Sequence, residues 1–151
     1  MTAQSNHFLF GTVLLLGTVT IAGAQTRPHK PSANERKEIL NAVRPSVERT
    51  LGIKVVFVVA TIVEVGDWSF ARLIPKTSDG LSIDFSRTLV AQEVEGGSFG
   101  AGMNSDFDAL AKRRNGKWVS VYTNLGASDY TTTSELVKHY GCPRSLFGSR
   151  R

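Results

Sequence analysis

The chain contains a single cysteine, Cys142, so no intrachain disulfide is possible and the fold must hold by packing alone. Histidine is equally scarce. Beyond the N-terminal apolar run only His29 and His139 remain, so a structural zinc would need carboxylates for half of its ligands, an uncommon set. Charge is missing from residues 1–24, where no Lys, Arg, Asp or Glu occurs. Long apolar runs are missing too: the longest, Phe8 to Ile21, falls short of the roughly 20 residues that span a bilayer.

That run is followed by Ala22-Gly23-Ala24, the small-x-small pattern that signal peptidase accepts. We therefore expect residues 1–24 to be a signal peptide, although its leading segment carries only His7 and no Lys or Arg. The expected location is periplasmic or secreted, with no transmembrane span after cleavage. No Cys follows Ala24 directly, which argues against a lipoprotein anchor. The net charge of +5 belongs to the remaining chain. In an envelope compartment it favours anionic polymers or lipid headgroups over nucleic acid as a partner.

Residues 25–31 (QTRPHKP) have two prolines and no apolar periodicity, and are expected to form a flexible leader. Residues 32–151 are the right size for one domain. Ser32 and Glu35 make a capping box, after which Ile39, Val43, Val47 and Leu51 recur every four residues until Gly52. Pro45 falls inside this stripe, which predicts a kink or two abutting helices near Val43.

Ile53 to Val65 (IKVVFVVATIVEV) is β-branched on both faces, and Gly66-Asp67 is a turn of the type that wants glycine first, returning into Trp68 to Ile74. The implied register pairs Val65 with Trp68, Val63 with Phe70, Thr61 with Arg72 and Val59 with Ile74. The helix is expected to cover this large, aromatic face. The opposite face, with Val56, Val58, Ala60, Ile62, Ala71 and Leu73, then needs another cover: a cavity, a later loop or another subunit. Leu81 to Phe85 and Thr88 to Val94 are weaker strands. Phe107 to Arg114 and Lys117 to Asn124 form a hairpin across Asn115-Gly116, and Thr132 with Glu135 opens a short helix stopped by Gly141 and Pro143.

The element order predicts an α+β fold: an N-terminal helix packed on a curved antiparallel meander, with a short C-terminal helix. On the long strand, the GDW turn and the ending HYGCPRSLF, residues 32–147 resemble small exported bacterial proteins of unknown role with a helix wrapped by a curved sheet, similar to the cystatin-like architecture. The resemblance implies the fold and transfers no functional residue.

The segment EGGSFGAGMN, Glu95 to Asn104, touches three fingerprints. Ser98 sits in GxSxG, and Asp129 and His139 follow in the order of a hydrolase triad. The glycines and Asn-Ser pair after Ser98 argue against the helix that a nucleophile elbow needs. As a phosphate loop the segment lacks the Lys and Ser/Thr that must follow, Met103 and Asn104 standing there instead. As a dinucleotide loop it lacks its third glycine. His139 and Cys142 have a suggestive spacing for a metal or a nucleophilic pair, but the flanking Gly141 and Pro143 point to a packed turn. Asp106 and Asp108 alternate on one strand face as an acid-base pair would, or as solvated edge positions do.

Lys112, Arg113, Arg114 and Lys117 surround the Asn115-Gly116 turn, and Trp118 follows. They are the candidate binding residues, a basic tip for an anionic ligand with an aromatic to stack on; the plainer reading is a solvated tip that discourages edge pairing. The sequence thus points to an exported, non-catalytic binding protein with no cofactor and no metal. Its expected partner is another protein or an anionic envelope component. The alternatives are a small serine hydrolase using Ser98, Asp129 and His139, or a homodimeric assembly or inhibitor protein.

Overall fold

A computed structural model describes residues 27–89, 91, 105–126 and 131–148. Helix α1 (Ala33–Leu51) is followed by four strands, β1 (Val56–Val65), β2 (Trp68–Lys76), β3 (Phe107–Arg114) and β4 (Lys117–Leu125), and then by helix α2 (Thr131–Tyr140). The strands pair antiparallel in the order β1-β2-β3-β4, a meander with β1 and β4 at its edges. The α+β architecture expected from the element order is the one observed.

Helix α1 starts where its cap dictates. The Ser32 hydroxyl accepts from the Glu35 amide, while the Ser32 amide donates to the Glu35 carboxylate at 3.1 Å. It stops at Gly52, whose left-handed backbone (φ 74°) lets its N–H reach the Glu48 carbonyl at 2.8 Å. Between the caps, Ile39, Val43, Val47 and Leu51 are fully buried, each contributing roughly 2 kcal/mol relative to exposure. Pro45 does not divide the element: α1 runs unbroken from Ala33 to Leu51. The stripe of buried residues on both sides of the proline holds the two halves to one core, which outweighs the lost hydrogen bond.

Both tight turns have the chemistry expected of them. Gly66 alone has positive φ in the first hairpin, whereas Asn115 (φ 50°) and Gly116 (φ 75°) both do in the second. The first hairpin keeps the expected pairs Val65 with Trp68, Val63 with Phe70 and Thr61 with Arg72. A bulge at Ala60 then shifts the register, so Val59 meets Leu73 and Val58 meets Ile74.

The faces are assigned in the opposite sense to the expectation. Helix α1 lies on Ala71, Leu73, Phe107, Ala109, Ala111 and Trp118, joined by Phe57, Val59 and Ile62. Three alanines in the middle of the sheet give a low floor on which a helix can approach closely; the aromatic face offers none. The bulge is what brings Phe57, Val59 and Ile62 to one side despite their broken alternation. The aromatic face carries a second core, in which Val65, Phe70 and Leu110 pack against Leu136, Cys142 and Leu146. Phe147 in the last 3-10 turn stands 4.9 Å from Phe70. A later segment of the chain is therefore the cover for the second face.

Leu81 to Phe85 does not form the expected strand. It makes one isolated bridge, Ser82 to Lys76, and leads into a 3-10 turn at Phe85–Arg87. Asp84 caps that turn, accepting from the Ser86 amide, a local bond that competes with a ladder. Of Thr88 to Val94, residues 90 and 92–94 lie outside the described residues. The leader is tied to the sheet: His29 and Glu64 exchange two backbone hydrogen bonds of 3.0 and 2.9 Å.

Candidate functional site

The basic tip divides into inward and outward members. Arg113 points inward. Its Nη2 donates to Glu35 Oε1 at 3.1 Å and to Glu64 Oε1 at 3.0 Å, and its guanidinium stacks on the Trp118 ring at 4.6 Å. Trp118 is buried in the α1 core, with no face left for a ligand to stack on. Lys112 lies over the Trp68 ring, 4.6 Å from its centroid. Arg114 and Lys117 are exposed and opposite each other across the turn. Of the five candidates, these two alone present their charge fully to solvent.

The Arg113 cluster joins three elements and the leader. Glu35 comes from the first turn of α1, Glu64 from the end of β1, and Arg113 from β3, while the Glu64 backbone holds His29. Hydrogen bonds from Ser32, with help from Arg113, hold the Glu35 carboxyl below the usual glutamate range. Glu64 goes the other way: burial, then the charge of Glu35, pushes it up, and the Arg113 pair offsets this only in part. A short ion-pair distance would suggest a lowered value, but Glu64 is only 4% exposed and desolvation is the larger effect. Glu64 Oε2, the hydroxyl of its cross-strand neighbour Ser69, and Trp118 Nε1 are buried without hydrogen-bond partners among the described residues.

Asp108 is not an edge residue. Strand β3 is interior, and Asp108 is buried in a two-pronged pair with Arg72 of β2, at 2.9 and 3.2 Å. Thr61, Arg72, Asp108 and Asn124 are successive cross-strand partners, so one polar row crosses all four strands on the second face. This pairing was invisible in sequence because about 30 residues separate β2 from β3. A local signal existed for Glu64, the one charge within β1.

Cys142 is buried in the second core, and burial pushes its thiol up, away from the thiolate that a nucleophile or metal ligand needs. His139, three residues away, is exposed on α2. Among the described residues no three His, Cys, Asp or Glu side chains converge on a metal position. Ser98 and Asp129 lie outside the described residues, as does the glycine segment from Glu95 to Asn104. Among the described residues, no helix is long and apolar enough to cross a membrane. No family model, curated protein or solved structure matches this chain.

The outer edge of β1 is an uncharged stretch of the described surface. Val56 to Val63 (VFVVATIV) carries no charge, and Val56 and Val58 are 40% and 50% exposed. Glu64 turns its N–H and C=O outward to His29. Chirality couples side-chain face to amide direction along a strand, so Ile62, Val59 and Phe57, which share the α1 face with Glu64, direct their amides the same way.

Proposed function

We propose that this chain is an exported, non-catalytic protein that takes up an extended segment of a partner protein along the outer edge of β1. The observation that carries the reading is the His29 bridge to Glu64. The edge already makes an antiparallel bridge at one end with the chain's own leader, and the uncharged run Val56 to Val63 continues beyond it. Eight strand residues give a docking line of about 26 Å, with main-chain bonds for affinity and the exposed Val56 and Val58 for side-chain contact. The bulge at Ala60 and the occupied position at Glu64 limit the register and length of what can pair, which disfavours open-ended stacking of copies. The apolar run before Ala24 supports export. The edge is favoured over the basic tip because Arg113 and Trp118 are engaged inward.

A photo-crosslinking amino acid at Val56, introduced into the full chain in its native host, tests this. The expected result is one dominant adduct to another protein, lost when Val58→Lys places a charge on the edge and absent when the crosslinker is at Val119. Adducts to a second copy of this chain, equal yields at Val119, or no adduct would each overturn the reading.

A further inference from the structure

Beside α2 lies a cleft of about 560 Å³, lined by Tyr122 of β4 and by Glu135, Leu136, Lys138, His139 and Tyr140 of the helix. Its size falls within the range of about 300–1,000 Å³ typical of small-ligand sites. We propose that it is a binding site for a neutral sugar ring, separate from the β1 edge.

Aromatic rings dominate its wall. The Tyr122 and Tyr140 rings are 5.9 Å apart and tilted by 60°, and His139 stands edge-on to Tyr140 at 4.6 Å. Both tyrosines are half-buried and line the cleft, and an aromatic ring is a surface on which the C–H side of a pyranose can stack. The polar groups are of both kinds: phenol hydroxyls that donate and accept, the Glu135 carboxylate that accepts, and the Lys138 ammonium that donates. A ring fringed with hydroxyls, each donor and acceptor at once, is the ligand such a mixture satisfies.

Charge separates this class from its rivals. Glu135 and Lys138 stand three apart on one helix and offset each other, leaving the cleft nearly neutral in a chain of net charge +5. A phosphorylated or carboxylated ligand would meet Glu135, and a cationic one would meet Lys138. Tyr122 is held as a neutral donor: burial, then the nearby Asp108 carboxylate, pushes its hydroxyl above the usual phenol range. Asp108 is itself paired with Arg72, which places Tyr122 beside the polar row.

The test is a titration of the isotope-labelled full chain without its signal segment, followed by amide and aromatic NMR, with three probes: a neutral N-acetylglucosamine trisaccharide, maltotriose and a trigalacturonate. Saturable shifts at Tyr122, Lys138 and Tyr140 with at least one neutral sugar, and none with the uronate, are expected. Tyr140→Ala should weaken binding about tenfold. Glu135→Gln, an exposed change that leaves the helix intact, should weaken it too, and Lys117→Ala should leave it unchanged. Tighter binding of the uronate would overturn the neutral-ring assignment, and no saturable shift from any probe at millimolar concentration would overturn the site.

Discussion

Glu64 shows how one residue can carry opposing effects. It anchors the leader through its backbone and pairs with Arg113 through its side chain, yet its carboxyl is pushed up by burial and by Glu35. A carboxyl whose folded value lies above its unfolded one favours folding while protonated, and that contribution is lost as pH rises through the folded value. Glu35, held low, contributes in the opposite sense and loses its contribution as pH falls. Glu64→Gln keeps the shape and removes the charge. Its melting temperature relative to the parent chain should therefore rise between about pH 4 and pH 8, crossing the ordinary glutamate range upward. Thermal scans at the two pH values check this, and a difference that shrinks toward alkaline pH would mean that the Arg113 pair outweighs burial. At this scale the sequence was readable for Ser32 and Glu35, whose bond is local. It was opaque for Arg113 and Trp118: a basic, aromatic tip reads as a ligand site until the partners, 49 and 78 residues away for the two carboxylates of Arg113, are known.

Elements were legible wherever punctuation and periodicity coincided. The ends of α1, both glycine turns and the α2 stop at Gly141 follow from local backbone chemistry. Strand pairing followed as far as Thr61 and failed at Ala60, because a bulge is set by the packing of two faces and leaves no composition signal of its own. That same bulge brings Phe57, Val59 and Ile62 together on the helix side of the sheet. Gly52 offers a test of how α1 closes. Its φ of 74° disfavours any side chain, and an added Cβ would lie 2.6 Å from Leu89 Cγ. Gly52→Ala should cost about 1–2 kcal/mol, most of it backbone strain. In combination with Leu89→Ala the loss should be smaller than the sum, since the clash is relieved; additive denaturant midpoints would contradict the Leu89 contact.

For the whole molecule, two cores on opposite faces of one four-stranded sheet account for the apolar residues that the sequence left without a cover. The homodimer read from that second face loses much of its apolar surface to the chain's own C-terminal segment. Among the described residues, what remains unpaired is lateral, and it includes the uncharged edge of β1. The proposed partner binding therefore rests on that edge being unpaired in the isolated protein. Residue-resolved hydrogen exchange on residues 25–151 measures this directly. The account predicts that the amides of Val59 and Ile62 exchange at least about tenfold faster than those of Val58, Val63 and Glu64, the last held by His29. Equal protection along the whole of β1 would mean that the edge is already occupied, and would contradict it.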